Sequence, residues 1–132
     1  MRFKDKVVIV TGGASGIGKE IALGFAKESA KVVIFDINQD AILNTVKEIE
    51  KYTESLGLKV DVSNFVEVEE NVNKIIDKFS RVDILINNAG ITKDNLILRL
   101  SENDWDNVLD INLKGAFICS KVVSKYMVKQ RW

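Results

Sequence analysis

The sequence predicts an α/β fold with a four-stranded parallel sheet, and three observations support this prediction. Apolar, strand-like segments alternate with segments whose apolar residues recur at helical spacing. A glycine-rich turn follows the first strand, and an aspartate ends the second. The order β-α-β-α-β-α-β-α with short right-handed connections predicts strand order 3-2-1-4 with helices on both faces. Strand order 2-1-3-4 remains possible on topology alone, but the glycine spacing and the aspartate favour the former.

The composition is that of an ordinary globular domain. Its 132 residues suit a single domain over 1–132, with 46% hydrophobic and 29% charged residues. Nineteen basic and nineteen acidic residues cancel, which argues against nucleic acid and anionic membranes as partners. No apolar run could span a bilayer and no signal segment opens the sequence, so a cytoplasmic location is expected. With one cysteine, Cys119, and no histidine, neither an internal disulfide nor a cysteine- or histidine-based metal site is expected.

The first predicted strand runs into a turn rich in glycine. Val7 to Val10 are apolar and mostly β-branched, which is typical of a strand buried on both faces. Gly12, Gly16 and Gly18 follow, and a helical pattern begins after them. Backbone N–H groups and the helix dipole favour a phosphate at such a turn, and glycine lets the ligand approach without meeting a Cβ. A tight strand–helix connection is the alternative, but three glycines in this context favour phosphate binding.

A P-loop for nucleotide hydrolysis is excluded by one residue. Gly13 to Lys19 fits the start of the pattern G-x-x-x-x-G-K. Glu20 stands where a serine or threonine would bind magnesium, and its carboxylate would repel a triphosphate.

The second predicted strand, Lys31 to Asp36, ends in a carboxylate. Asp36 lies eighteen residues beyond Gly18, close to the separation at which a Rossmann-like, dinucleotide-binding fold places its ribose-binding acid. A carboxylate there accepts hydrogen bonds from the ribose hydroxyls and repels a 2′-phosphate, so NAD is favoured over NADP. Capping of the following turn, a role that Asn38 and Asp40 could also fill, is the alternative.

The middle of the chain predicts two amphipathic helices around a weaker strand. The helices are expected over Asp40 to Tyr52 and Phe65 to Phe79, and an edge strand over Ser55 to Val62. Asp61, near the end of that strand, suits contact with the adenine amino group. It equally suits capping of the next helix together with Ser63 and Asn64, and both interpretations stay open.

The fourth predicted strand, Val82 to Asn87, leads into a second polar turn. Asn87 and Asn88 suit hydrogen bonds to strand backbone or to a ribose, and Gly90 leaves space for a cofactor. A loop is expected over 91–100. The last helix is predicted from Ser101, which forms a capping box with Asp104, towards Met127. Asn112 has poor helix propensity at its mid-helix position, which indicates either a functional role or a solvent-facing side chain.

Four motifs in this order resemble those of the classical short-chain dehydrogenase/reductase family. Thr11 to Gly18 resembles its cofactor motif T-G-x-x-x-G-I-G, Asp61-Val62 its adenine-side dipeptide, and Asn87 to Gly90 its N-N-A-G motif. Asn112 resembles the helix asparagine of its catalytic tetrad. The stretch from Asn87 to Asn95 is most similar to bacterial 3-oxoacyl-[acyl-carrier-protein] reductases, although Asp36 departs from their usual NADP preference.

The resemblance implies hydride transfer between a nicotinamide cofactor and a carbonyl or alcohol. NAD is the expected cofactor, no metal is implied, and Asn112 is the one matching catalytic residue. The residues assigned to the cofactor are Gly12, Ser15, Gly16, Ile17, Gly18, Asp36, Asp61, Val62, Asn88, Ala89 and Gly90.

The resemblance also implies catalytic groups that the sequence does not match. The family uses a tyrosine, a lysine four residues later and a serine from the preceding strand. Lys129 lies three residues after Tyr126 and Gln130 lies four after it, so Tyr126 is predicted as ordinary helix surface. The sequence is expected to be the N-terminal, cofactor-binding half of a family domain, truncated before the fifth strand and not catalytically competent alone.

A truncated sheet predicts self-association. Its fourth strand would present unpaired backbone groups, and its last helix would leave an apolar side uncovered, so a homo-oligomer through either surface is expected. Two other interpretations stay open: a fold-only or engineered fragment without ligand binding, and one half of a split enzyme completed by another chain. The residues on the uncovered apolar side of the last helix are Ile111, Phe117, Ile118 and Val122.

Overall fold

A computed structural model describes residues 2–90 and 99–131 of the chain. The loop expected over 91–100 therefore lies largely outside the described residues. Within these ranges no helix is long and apolar enough to cross a membrane. The elements are β1 Val7–Thr11, α1 Gly16–Lys27, β2 Lys31–Asp36, α2 Gln39–Ile49, β3 Ser55–Lys59, α3 Phe65–Phe79, β4 Ile84–Ile86, α4 Glu102–Leu109, a π-helical segment Asp110–Lys114, and α5 Gly115–Gln130.

The four strands form one parallel sheet in the order β3-β2-β1-β4. Val8 of β1 lies opposite Val32 of β2 on one side and Ile84 of β4 on the other. All five residues of β1 are buried, because this strand has a neighbour on both edges and helices on both faces. The predicted order 3-2-1-4 is confirmed, and so is the edge position of the third strand.

Alternating side chains of β1 enter two separate cores. Val7 and Ile9 pack with α3 and α5 on one face, whereas Val8 and Val10 pack with α1 and α2 on the other. This alternation follows from the two-residue period of a strand. The predicted arrangement of helices on both faces is confirmed.

Two strands are shorter than predicted. β4 covers only Ile84–Ile86, because Val82 donates its N–H to the side chain of Gln130 at 2.9 Å. β3 ends at Lys59, before Asp61, whose N–H bonds the Glu67 carboxylate. In both places a side chain from a helix accepts a backbone N–H that a longer strand would have bonded to its neighbour.

The predicted last helix is divided by a wider turn. α4 begins with the predicted capping box, in which the Ser101 hydroxyl accepts the Asp104 N–H at 2.9 Å. The π-helical segment Asp110–Lys114 then connects α4 to α5, and Asn112 lies inside it. Such insertions are frequent at functional sites, and apolar periodicity alone does not reveal them.

The apolar side of α5 is better covered than predicted. Ile118 and Val122, expected to lack neighbours, are each only 3% exposed, because they pack on the sheet beside α3. Phe117 is 61% exposed, as expected. The prediction was therefore wrong for Ile118 and Val122.

A buried carboxylate ties the amino-terminal edge of the sheet together. Asp83 accepts the Val7 N–H at 2.9 Å, two hydrogen bonds from Arg81 and one from Gln130. Hydrogen bonding to Asp83 raises the pKa of Arg81 above its ordinary value, so the guanidinium keeps its charge. Gln130 also bonds both backbone groups of Val82, which anchors the end of α5.

Alanine substitutions at two glycines of the first turn separate the cost of a steric clash from the cost of backbone strain. A Cβ on Gly18 would overlap the Gly12 carbonyl oxygen and the Asn88 side chain, whereas one on Gly16 would meet nothing. Gly16 has φ +55°, so alanine there suffers only the strain of the left-handed region. We expect G18A to lower the free energy of unfolding by roughly 3 kcal/mol and G16A by about 1 kcal/mol, measured by urea denaturation. Equal losses would contradict this packing role.

Candidate functional site

A cavity of about 230 Å³ opens at the carboxyl ends of β1, β2 and β4. β1 lies between β2 and β4, so this is the point where the strand order reverses and where open α/β sheets bind ligands. Seven of the eleven predicted cofactor residues line it: Gly12, Ser15, Asp36, Val62, Asn88, Ala89 and Gly90.

The other four predicted residues lie outside this cavity. Gly16 and Ile17 border a shallow surface depression beside it, and Gly18 is buried under the turn. Asp61 is not among the lining residues. The wall also contains Phe35, Ile37, Val60 and Ile111, which the sequence reasoning did not assign to the site. Phe35 and Ile37 flank Asp36 in sequence, so their proximity could have been inferred; Ile111 reaches the cavity only through packing of the helix.

The glycine turn leaves the amino terminus of α1 open. Gly12 and Gly16 have φ values of +63° and +55°, and Gly12 donates its N–H to Phe35 at 2.7 Å. Ser15 is the N-cap residue of α1, but its side chain makes no capping hydrogen bond. No acidic residue occupies the first turn of α1. The helix end therefore offers N–H groups and a positive dipole end to an anion.

Asp36 caps a turn, which was one of its two predicted roles, and it also lines the cavity; binding of a ribose stays a prediction. Its Oδ1 accepts the Ile37 N–H at 2.7 Å and so caps the turn after β2. Its Oδ2 accepts the Ala14 N–H at 3.0 Å, which joins β2 to the glycine turn. The carboxylate also lines the cavity. Each carboxylate oxygen accepts more than one hydrogen bond, so these contacts leave acceptor capacity for a ligand hydroxyl.

The polar turn after β4 is held mainly by backbone and side-chain hydrogen bonds. Thr11 Oγ1 accepts the N–H groups of Asn88 and Ala89 at 3.0 and 2.9 Å. The Asn88 side chain donates to the Gly12 carbonyl at 3.2 Å, and that of Asn87 donates to Ser120. Asn88 thus fastens two turns together, in addition to lining the cavity. Thr11 was quoted within the cofactor motif but not assigned this anchoring role.

Asp61 shapes a turn at the end of β3. Its Oδ1 accepts hydrogen bonds from the Ser63 backbone N–H at 2.9 Å and from the Ser63 hydroxyl at 2.6 Å. The N-cap residue of α3 is Asn64, one of the residues predicted for capping, and its side chain accepts the Glu67 N–H at 3.1 Å. Contact between Asp61 and adenine stays a prediction. Val62 lines the cavity and packs closely on α5, where a Cβ on Gly115 would lie 2.6 Å from Val62 Cγ2.

Three polar or reactive side chains of the last helical run, those of Asn112, Cys119 and Tyr126, are not among the residues that line the cavity. Asn112 is exposed beside the turn after β4, where a Cβ on Gly90 would lie 3.1 Å from Asn112 Oδ1. Tyr126 is half-buried and donates its hydroxyl hydrogen to Asn73 at 2.7 Å, so it joins α5 to α3. Burial raises the pKa of the Cys119 thiol to about 11, which keeps it protonated. Among the described residues that line the cavity, Asp36 is the one titratable group.

No group of three or more histidine, cysteine, aspartate or glutamate side chains suited to a metal occurs within residues 2–90 and 99–131. Asp36, the charged wall group, already accepts backbone hydrogen bonds through both oxygens.

Comparison with solved structures agrees with this geometry. The NAD⁺-bound xylitol dehydrogenase is 31% identical and superposes with a TM-score of 0.95; the match covers 100% of this chain and 52% of that one. A short-chain dehydrogenase from Bacillus anthracis is 40% identical with a TM-score of 0.91, over 96% and 53% of the two chains.

Sequence comparison gives the same family. A 3-oxoacyl-[acyl-carrier-protein] reductase FabG from Thermotoga maritima is 45% identical over 99% of this chain and 54% of its own length. A (2S)-[(R)-hydroxy(phenyl)methyl]succinyl-CoA dehydrogenase subunit from Thauera aromatica is 41% identical over 99% and 53%. The chain thus spans about half the length of the curated relatives it matches. The family model for short chain dehydrogenases matches residues 6–132, and the chain belongs to that family.

Proposed function

We propose that residues 1–132 bind NAD(H) as the N-terminal half of a short-chain dehydrogenase/reductase domain. The observation that carries this proposal is the cavity at the reversal of strand order, where Asp36 and the open end of α1 meet. A carboxylate beside a free helix amino terminus suits a ligand that carries a ribose diol and a diphosphate together.

The cavity walls suggest how the ligand would be divided among them. The pyrophosphate would lie at the turn from Gly12 to Gly18, and the adenosine ribose at Asp36. Adenine would pack beside the apolar side chains of Ile37 and Val62, near Asp61. The cavity volume of about 230 Å³ is below the roughly 300–1,000 Å³ of complete ligand sites, which supports enclosure of the adenosine half only.

The charges around the cavity support NAD over NADP. Asp36 would repel a 2′-phosphate, and no lysine or arginine is present among the described residues of the wall. The NAD⁺ in the related xylitol dehydrogenase is consistent with this preference.

The proposed reaction of the complete domain is hydride transfer between the cofactor and a carbonyl or alcohol. The name of the Thermotoga maritima relative supports a 3-oxoacyl thioester as a substrate class. Asn112 is the proposed family tetrad residue, and Asp36 is proposed to bind the adenosine ribose, away from the reacting carbon. Proton transfer needs a group of suitable pKa near the reacting oxygen, so we propose that this chain alone does not catalyse the reaction.

A cytoplasmic location is proposed, and the single Cys119 supports it because it rules out an internal disulfide.

We also propose that two copies associate through the last helical run. Trp105, Leu109, Leu113 and Phe117 recur every four residues there, with exposed fractions of 59%, 38%, 68% and 61%. We call these four residues the apolar stripe. Exposed apolar residues that recur along a helix suit an interaction site, and a second copy offers the same stripe. The free edge of β4 is a second candidate surface for the same association.

Calorimetric titration with NAD and NADP tests cofactor binding. We expect the chain to bind NAD and to bind NADP at least tenfold more weakly, since Asp36 repels the 2′-phosphate. D36N keeps an acceptor oxygen for Ala14 but removes the charge, so it should weaken NAD about tenfold and narrow the difference from NADP. D40N, at an exposed position on α2, is the control and should change neither affinity. No binding at millimolar NAD would contradict the proposal.

An NADH oxidation assay with a 3-oxoacyl thioester tests the catalytic assignment. We expect no turnover above the buffer rate, because no described group at the cavity can donate a proton to the substrate oxygen. The measurement is the loss of NADH absorbance at saturating cofactor. Sustained turnover that follows enzyme concentration would contradict the assignment.

Sedimentation velocity tests self-association. We expect a dimer or larger species, and we expect L113E/F117E to shift it to monomer by placing charges in the apolar stripe. V128E is the matched control, since Val128 is 73% exposed on the same helical run but outside the stripe. A wild-type chain that stays monomeric at high concentration would count against the proposal.

A further inference from the structure

The hydroxyl of Thr45 in α2 is buried and makes its hydrogen bond outside its own helix. Thr45 lies in α2, is 1% exposed, and faces the apolar core formed by α1, α2 and the sheet. Threonine is a weak helix former, and in helices its hydroxyl often bonds a carbonyl one turn earlier. Here Oγ1 instead donates to the carbonyl of Ala14, 31 residues away, at 3.0 Å. This hydrogen bond connects the helix to the glycine turn.

Ala14 is held from both sides by side chains. Its N–H donates to Asp36 Oδ2 at 3.0 Å, and its carbonyl accepts the Thr45 hydroxyl. The residue is 5% exposed and adjoins Ser15, the N-cap of α1. The orientation of the turn just before the helix is therefore fixed by β2 and α2 together.

This orientation decides where the next amide points. The peptide bonds of the described chain are trans, and in a trans peptide the C=O and N–H point in opposite directions. The Ala14 carbonyl points towards α2, so the Ser15 N–H of the same trans peptide points away from α2. Ser15 is also one of the residues that line the cavity. We infer that Thr45 is a positioning residue that holds the amides of the glycine turn ready for the pyrophosphate, an inference that rests on the proposed dinucleotide binding.

Loss of the Thr45 hydroxyl would weaken binding of the pyrophosphate and leave binding of the adenosine unchanged. Without Thr45 Oγ1, the buried Ala14 carbonyl has lost its partner, and the peptide can rotate towards water to regain one. That rotation moves the Ser15 N–H away from its ligand-facing direction. The adenosine wall stands on β2 and the segment after β3, which Thr45 does not contact through this hydrogen bond.

The test compares NAD with adenosine, which lacks the pyrophosphate, by ligand-observed NMR titration. We expect T45V to raise the Kd for NAD about tenfold and to leave that for adenosine within about twofold. T45S keeps the hydroxyl and should restore NAD affinity. S55A is the matched control, because it removes a buried hydroxyl-to-carbonyl bond of 2.9 Å to Val32 at the opposite end of the sheet. T45A replaces T45V should the valine variant not fold.

Three outcomes would overturn the inference: unchanged NAD affinity in T45V, equal weakening of NAD and adenosine, or no recovery in T45S. Failure of the wild-type chain to bind NAD would instead defeat the proposed function. In that case amide hydrogen exchange of the ligand-free chain decides the positioning role. We expect T45V to accelerate exchange at Ala14, whose N–H is bonded to Asp36, about tenfold relative to T45S and S55A. Equal exchange in all variants overturns it.

Discussion

The hydroxyl of Thr11 connects two turns that are distant in sequence. It accepts the N–H groups of Asn88 and Ala89 and donates to the Ile86 carbonyl, while the Asn88 side chain returns to the Gly12 carbonyl. These bonds are possible because β1 and β4 are neighbours in the sheet. They set the width of the cavity at the reversal of strand order. Both the amino-terminal end of α1 and the turn beside Asn112 adjoin this connection.

Asp36 belongs both to the turn after β2 and to the wall of the cavity. The same carboxylate caps the turn after β2, holds Ala14 and faces the cavity. A ribose hydroxyl that bonds to it would share an acceptor with the Ala14 N–H, so binding and turn geometry are coupled. Thr45 holds the carbonyl of Ala14, on the side of the peptide that leads into α1. Both backbone polar groups of Ala14 are thus bonded by side chains, one from β2 and one from α2.

Much of the sheet could be predicted because its signals are local. Apolar β-branched runs, the glycine turn and the Ser101 capping box identified the strands, their order and the start of α4. The ends of β3 and β4 could not be predicted, since Glu67 and Gln130 take backbone groups there across six and 48 residues. The covering of Ile118 also depended on where α3 lies, which no local pattern states.

The sequence by itself determined the fold class, the strand order and the family, because glycine spacing, hydrophobic period and motif order are properties of the chain. It also identified most of the residues that meet at the cavity. Only the tertiary structure decided which contacts these residues make. Asn88 connects two turns, and Asp36 bonds a turn and lines the cavity. Tyr126, outside the cavity, donates a hydrogen bond to Asn73 of α3. Hydrogen-bond partners between distant segments exist only once the sheet and helices have packed, so no local pattern encodes them.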